Sequence, residues 1–168
     1  VPALAKIGEG WVSGAFSITD EHRASVVVPS LLGRFRALPL PPGQKRGLVV
    51  VGCPPAEEHA IPTSLFSLLL LGRRFGVDNL GNNTPAHVFI ESVQTADKLI
   101  AVVFAVASTE GAANLQECVD AVRSVRLDIP IFAGGAAVID ATPAELGIDG
   151  VFKSLKEGLD HLAELVGP

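Results

Sequence analysis

The sequence predicts an α/β fold in which five parallel strands form one open sheet with helices on both faces. Short apolar segments alternate with longer helical ones from residue 46 onward, which is the pattern of repeated strand–helix units. Glycine- and proline-rich turns separate these segments. Hydrophobic residues make up 48% of the 168 residues, yet no apolar run reaches the roughly 18 residues that cross a bilayer. Strands buried on both faces of a parallel sheet explain this excess.

The order of the elements follows from the apolar pattern. Strands are predicted at residues 47–51, 77–80, 99–106, 129–133 and 148–152. Helices are predicted at residues 61–75, 85–95, 111–125 and 155–165. Short loops and right-handed crossovers favour an open, flavodoxin-like or Rossmann-like parallel sheet with helices on both faces. Among the strand orders that such a sheet allows, we expect 2-1-3-4-5. In such sheets, ligands bind at the carboxyl ends of the strands.

The N-terminal part has a different pattern. We expect a partial helical bundle over residues 1–38, a linker over residues 39–45 and the α/β domain over residues 46–168. Ser17 and Asp20 have the spacing of a helix-capping box, and Pro29 should kink or split the helix that follows. The chain begins at Val1 without a signal-peptide pattern, so we expect an internal or processed segment of a cytoplasmic protein.

Charge and cysteine content narrow the function classes. The net charge is −5 and no basic stripe is present, so this segment is not expected to contact nucleic acid. No membrane association is expected either. Cys53 and Cys118 lack the spacing of a metal site, and we expect both to be reduced, buried thiols.

A candidate metal ligand follows the first strand. His59 is preceded two residues earlier by Glu57, with Glu58 as a competing acid. A neutral imidazole can coordinate a metal, and a carboxylate on its other nitrogen would fix the tautomer and raise the basicity. Ser108 follows the third strand, so it should lie at the same edge of the sheet. Ser108 and its neighbour Thr109 are expected either to line a ligand cavity or to cap the next helix.

The residues at these strand ends resemble the cobalamin-binding domain, whose motifs are Asp-x-His-x-x-Gly, Ser-x-Leu and Gly-Gly. Glu57-x-His59 stands for the first motif, with Glu in place of Asp and Pro62 in place of Gly. Phe104-Ala105-Val106 stands at the second, and Gly134-Gly135 matches the third. The segment from residue 80 to residue 85, LGNNTP, follows the second strand and belongs to the same resemblance.

The spacing Trp11-x9-Glu21-His22 indicates a particular group among the proteins that contain this domain. It is similar to the light-sensing, adenosylcobalamin-dependent transcriptional regulators of the MerR class, or to related antirepressors. The resemblance implies adenosylcobalamin bound base-off, with His59 as the lower cobalt ligand and the helical cap over the upper ligand. Methyl- or hydroxocobalamin is an alternative, and haem is a weaker one. The cofactor-binding residues that it implies are Trp11, Glu21, His22, Glu57, His59, Ala60, Thr84, Ser108, Thr109, Gly134, Gly135 and Ala136.

Three functions remain in competition. The first is a sensor module without catalytic activity, which acts through a homo-oligomer contact or a regulatory protein partner. The second is a corrinoid subunit that carries methyl groups for a methyltransferase. The third is a receiver or flavodoxin-like domain. A receiver needs an aspartate at the end of the third strand, and residues 104–107 supply none.

Overall fold

The computed structural model describes residues 45–167, together with Val27, Ser30, residues 32–34, Pro39 and residues 42–43. The chain divides into two compact units, Val1–Pro39 and Leu40–Pro168. The capping box predicted at Ser17 and the kink predicted at Pro29 lie outside the described residues. The three-part division at residues 38 and 45 stays a prediction.

The described part of the second unit is a five-stranded parallel sheet with helices between its strands. The strands are β1 Leu48–Gly52, β2 Gly76–Gly81, β3 Leu99–Ala105, β4 Ile131–Gly134 and β5 Gly150–Phe152. The helices are α1 Ala60–Gly72, α2 Ala86–Thr95, α3 Thr109–Ala113, α4 Leu115–Val125, α5 Pro143–Leu146 and α6 Leu155–Leu165. The strand order is β2-β1-β3-β4-β5, and all paired strands are parallel. The predicted fold class and strand order are therefore confirmed.

Alternation along the central strands supplies two hydrophobic cores, one on each face of the sheet. In β1, Val50 belongs to one core while Val49 and Val51 belong to the other. The helices α2 and α4 cover the first core, and α1 and α6 cover the second. Successive side chains of a strand point to opposite faces, so a strand that is covered on both sides must be apolar throughout.

The helix that follows β1 contacts the sheet through one stripe of side chains. Its buried residues are Thr63, Phe66, Ser67 and Leu70, which have the i, i+3, i+4, i+7 spacing of a single helix face. Its remaining positions are also rich in leucine, which led the sequence pattern to extend the helix to residue 75. The helix ends at Gly72 instead, and Arg74 takes a φ of +67° in the turn that leads to β2.

Two further elements differ from the prediction. The helix predicted over residues 111–125 is divided into α3 and α4 at Asn114. The short helix α5 was not predicted, although Thr142 and Glu145 form a capping box at its start. Both differences are local, and neither changes the order of the strands. Among the described residues, no helix has the length and apolar character needed to span a membrane.

Candidate functional site

The loop between β1 and α1 places a carboxylate in the interior and an imidazole at the surface. Pro54 and Pro55 follow β1 and have no N–H to donate to a neighbouring strand, so the strand ends there. The chain then turns, and the Glu57 N–H donates to the Pro54 carbonyl at 3.2 Å. Glu57 is fully buried, whereas the His59 side chain is 63% exposed. A buried carboxylate at this position requires hydrogen-bond partners.

Five donor groups surround the Glu57 carboxylate. Oε2 accepts from the backbone N–H groups of Ala107 and Ser108, both at 2.7 Å, and from Ser108 Oγ at 2.9 Å. Oε1 accepts from the His59 N–H at 3.1 Å and lies 2.5 Å from His59 Nδ1. Burial by itself raises the pKa of Glu57, but the hydrogen bonds from Ser108 and His59 outweigh it and lower that pKa from 4.5 to about 2. Glu57 is therefore ionised at neutral pH.

This carboxylate selects the tautomer of His59. An ionised carboxylate can only accept a hydrogen bond, so Nδ1 carries the hydrogen that it shares with Glu57. In the neutral ring, the lone pair then lies on Nε2. His59 is the N-cap residue of α1, and its side chain makes no capping hydrogen bond. The ring is thus presented at the carboxyl edge of the sheet with Nε2 as its donor atom for a metal.

The hydrogen bonds identify Glu57 as the acid that contacts His59 and show that Ser108 caps a helix, while a place for Ser108 in a ligand cavity stays a prediction. Glu57 contacts the imidazole, while the Glu58 carboxylate accepts from the side-chain amides of Asn82 and Asn83. Ser108 caps α3, because its Oγ accepts from the Gly111 N–H at 3.1 Å. The same hydroxyl donates to Glu57. Ser108 therefore supports the His59 pair in addition to starting the helix, a role that the sequence analysis did not assign.

Three other predicted residues lie near these loops in the chain but make local contacts. Ala60 is the first residue of α1, and its N–H donates to the Glu58 carbonyl at 3.0 Å. Thr84 is buried, and its Oγ1 donates to the Leu80 carbonyl at 3.1 Å. Thr109 opens α3, and its Oγ1 donates to its neighbour in the sequence. These contacts stabilise the loops, and a role in ligand binding stays a prediction for each residue.

The predicted glycine pair closes β4 at the same edge. Gly134 ends the strand, and its carbonyl accepts from the Val106 N–H at 2.8 Å. Gly135 has a φ of +129°, and a Cβ there would overlap the Val106 carbonyl oxygen. Ala136 follows in an exposed turn. The backbone approach between Gly135 and Val106 requires a glycine whether or not a ligand lies nearby.

The predicted cap residues Trp11, Glu21 and His22 lie outside the described residues, so their proposed place above a cofactor stays a prediction. Two further contributors that the structure describes, the Ala107 N–H and Gly111, were not predicted from the sequence. The Ala107 N–H carries no side-chain signal that a sequence could reveal. Gly111 does have a signal, because it stands three residues after Ser108 at the start of a helix.

The residues present fit a metal held in a macrocycle. The donor is one exposed imidazole whose second nitrogen is fixed by a carboxylate, which suits a single axial position on cobalt. In addition, Ser67 Oγ is buried on the sheet-facing side of α1 and has no hydrogen-bond partner within the part of the chain that the structure describes. Buried hydroxyls are normally paired, so this oxygen is a ready partner for a polar group of a bound molecule.

The chain has similarity to known proteins over most of its length. The chain is 31% identical over 143 residues to the helix-turn-helix-type transcriptional repressor CarH of Myxococcus xanthus, covering 81% of this chain and 45% of that protein. It is 25% identical over 131 residues to dimethylamine corrinoid protein 3 of Methanosarcina acetivorans, covering 77% and 61%. The chain thus spans about half the length of these relatives. No family model matches the chain.

The backbone of the chain is also similar to that of a solved structure. A cobalamin-binding protein from Desulfitobacterium hafniense superposes with a TM-score of 0.68 at 22% identity, covering 96% of this chain and 77% of that one. The resemblance to the cobalamin-binding domain is confirmed by these relatives together. The chain has the cobalamin-binding domain fold.

Proposed function

We propose that the α/β domain is a cobalamin-binding module in which His59 Nε2 is the lower ligand of the cobalt. The observation that carries this proposal is the exposed His59 ring, held through Nδ1 by the buried Glu57 carboxylate. Cobalt accepts a neutral imidazole nitrogen, and a carboxylate on the other ring nitrogen increases its donor strength. When bound, the cofactor would supply a cobalt–carbon bond that light can break or that a methyl acceptor can attack.

The other residues of the site hold the ligand in place. Ser108 holds the Glu57 carboxylate against the imidazole. The Ser67 hydroxyl, which has no hydrogen-bond partner among the described residues, would bond to a polar group of the cofactor. We propose that Ala60, Thr84, Thr109 and the turn formed by Gly134, Gly135 and Ala136 line the site. These loops follow β1, β2, β3 and β4, which is where parallel sheets bind ligands.

For the wider role, we propose a sensor of a transcriptional regulator that uses adenosylcobalamin. The 31% identity to a transcriptional repressor supports this class. Trp11, Glu21 and His22 would belong to the helical cap over the upper ligand, and loss of that ligand would shift the cap between two states. This shift would alter a contact within a homo-oligomer or with a cytoplasmic regulatory protein. The module would have no catalytic activity of its own.

A corrinoid methyl carrier is the second candidate, and the similarity to a dimethylamine corrinoid protein favours it. Both candidates use the same histidine and the same sheet, so they differ in the upper ligand. Light-dependent change in oligomeric state with adenosylcobalamin would support the sensor. Transfer of the methyl group of methylcobalamin in the presence of a methyltransferase would support the carrier.

The shared proposal is tested by absorption titration of the purified protein with adenosyl-, methyl- and hydroxocobalamin, and with haem. Wild type should take up a cobalamin and show the spectrum of an imidazole-ligated, base-off form. His59→Ala should weaken uptake at least about tenfold and remove that spectrum. His87→Ala is the matched control, because His87 is an exposed histidine on α2. Unchanged uptake and spectrum in His59→Ala would end the proposal.

A further inference from the structure

The segment that precedes His59, residues 56–58, is held by hydrogen bonds to two neighbouring loops. On the inner side, Glu57 accepts hydrogen bonds from the loop between β3 and α3. On the outer side, the loop between β2 and α2 provides one residue, Asn83, that bonds to three consecutive residues. Its Oδ1 accepts from the Ala56 N–H at 2.9 Å, its N–H donates to the Glu57 carbonyl at 2.8 Å, and its Nδ2 donates to Glu58 Oε1 at 2.9 Å.

The backbone at both ends of these contacts is unusual. Ala56 has a φ of +64° and Asn83 a φ of +48°. The left-handed region is unfavourable for alanine and better tolerated by asparagine. A non-glycine residue keeps such a conformation only when its surroundings fix it. At Ala56, the hydrogen bond from its N–H to the Asn83 side chain is a contact of this kind.

Neighbouring contacts align the two loops. The Thr84 N–H donates to the Cys53 carbonyl at 3.0 Å, and the Cys53 N–H donates to the Gly81 carbonyl at 2.8 Å. Asn82 Nδ2 donates to the second oxygen of Glu58 at 3.0 Å. Asn83 therefore holds the Pro55–Ala56 peptide through the Ala56 N–H and the Glu57–Glu58 peptide through the Glu57 carbonyl. These two contacts fix the backbone before and after Glu57 and so limit the directions in which its carboxylate can point.

We propose that Asn83 is a positioning residue for His59, and this rests on the proposed role of His59 as the cobalt ligand. By holding residues 56–58, Asn83 keeps the Glu57 carboxylate between Ser108 and the imidazole and so fixes the orientation and tautomer of the ring. Glu58 serves as the outer anchor of the same segment. The loop after β2 thereby contributes to metal binding without touching the metal.

Three variants separate the contacts of Asn83. Asn83→Gly keeps the left-handed backbone and removes both side-chain hydrogen bonds. Asn83→Asp keeps an acceptor for Ala56 but sets a second carboxylate against Glu58. Asn83→Asp combined with Glu58→Gln restores a donor–acceptor pair with the roles exchanged. Asn114→Ala is the control, because Asn114 donates its side-chain amide to the Glu110 carbonyl at the junction of α3 and α4.

The first measurement needs no cofactor. In the ¹⁵N and ¹H NMR spectra of the unliganded protein, wild type should show His59 as the Nδ1–H tautomer with a hydrogen-bonded ring proton. Asn83→Gly and Asn83→Asp should broaden or lose this signal and speed amide exchange at Ala56 at least about tenfold. The double variant and Asn114→Ala should retain the signal.

The second measurement is hydroxocobalamin titration of the same proteins. Asn83→Gly should weaken binding about tenfold, as expected for a residue that orients a metal ligand, with recovery in the Asn83→Asp, Glu58→Gln double variant. An unchanged ring signal and affinity in Asn83→Gly would overturn the proposal. So would weaker binding that is explained by lower thermal stability while the ring signal stays intact. If wild type binds no cobalamin, the proposed function fails, and the NMR measurement alone decides whether Asn83 orients His59.

Discussion

Two loops at the carboxyl edge of the sheet both match motif positions, but different forces fix them. The loop after β1, residues 53–59, is fixed by polar contacts around the buried Glu57 carboxylate. The loop after β4, residues 135–142, is fixed by the close approach of Gly135 to the Val106 backbone and by a φ of +129°. The loop after β1 contains the Glu57–His59 pair, which the fold itself does not require. The second contains a glycine that the fold itself requires.

This difference changes how the effect of a variant should be interpreted. Loss of cofactor binding after a change in the loop after β4 can follow from loss of the fold. Loss of binding after a change in the loop after β1 is expected to arise while the two hydrophobic cores stay intact. Stability and binding therefore have to be measured in the same variants.

Gly135→Ala should have the largest effect. The new Cβ would overlap the Val106 carbonyl oxygen and lie 2.6 Å from the Val106 carbonyl carbon, in a backbone conformation that alanine rarely adopts. We expect the free energy of unfolding to fall by about 3 kcal/mol or more, measured by urea denaturation. Gly134→Ala is the control, since its Cβ would lie 3.3 Å from the Phe152 carbonyl oxygen without a positive φ. Its loss should be about 1 kcal/mol.

Equal losses in the two glycine variants would contradict this explanation. They would mean that the backbone approach at Gly135 relaxes without cost, and that the pair is better explained by contact with a ligand. A clearly larger loss in Gly135→Ala than in Gly134→Ala supports a structural requirement for glycine at position 135.

Much of the fold could be predicted because it depends on apolar periodicity. The parallel sheet follows from short loops and right-handed crossovers, whereas the strand order was an expectation that these rules favour but do not determine. A strand that is covered on both faces, such as β1, is apolar throughout, and that signal needs no information from distant residues. The break at Asn114 was harder to predict, because the residues around it suit a helix and neither glycine nor proline stands at the position where α3 ends and α4 begins. The end of α1 at Gly72 was also not predicted, because a single glycine after a run of leucines is a weak signal for the end of a helix.

The site could be predicted only where a side chain carries the chemistry. Glu57 and His59 stand two residues apart, so their contact is local. The partners of Glu57 are distant in sequence, and the Ala107 contribution is a backbone N–H that any residue would supply. Asn83 lay within a motif segment, yet its three contacts depend on the register between β1 and β2. Long-range pairing of loops is the information that the sequence pattern lacks.

Gly111→Ala should have an intermediate effect that falls on the loop after β1. A Cβ at Gly111 would lie 2.8 Å from both Cβ and Oε2 of Glu57 and 3.2 Å from Ser108 Oγ. The carboxylate or the start of α3 must then move, so we expect a loss of about 1–2 kcal/mol in unfolding free energy and weaker cobalamin uptake. Gly72→Ala is the matched control at the end of α1, where a Cβ meets no atom within 4 Å. It should change stability by no more than about 0.5 kcal/mol.

Comparing the loss of unfolding free energy with the loss of cobalamin uptake distinguishes an effect on the fold from an effect on the loop after β1. Gly111→Ala should weaken cobalamin uptake at temperatures where the protein is fully folded, which Gly72→Ala should not do. A variant at Gly111 that binds cobalamin as tightly as wild type would show that Glu57 has room to move without disturbing His59.

The smallest predicted effect concerns the two buried cysteines, which report opening in different regions. Burial raises the pKa of Cys53 and of Cys118 to about 12. Both thiols are thus neutral and covered at pH 8, and a thiol reagent should label them only after local or global opening. Their stabilising contribution is complete below pH 9 and is lost as the pH rises toward 12, because the unfolded chain ionises its thiols first.

Glu57→Gln should separate the two thiols. Cys53 Sγ donates to the His59 carbonyl at 3.7 Å, so weakening the loop after β1 should speed labelling of Cys53 about tenfold. Cys118 lies on α4 in the core on the other face of the sheet, so its labelling rate should stay within about twofold of wild type. Equal acceleration of both thiols would mean that Glu57 stabilises the whole domain. Faster labelling of Cys53 alone would mean that the Glu57 carboxylate stabilises only the loop after β1. This is the result expected if the role of Glu57 is to orient His59.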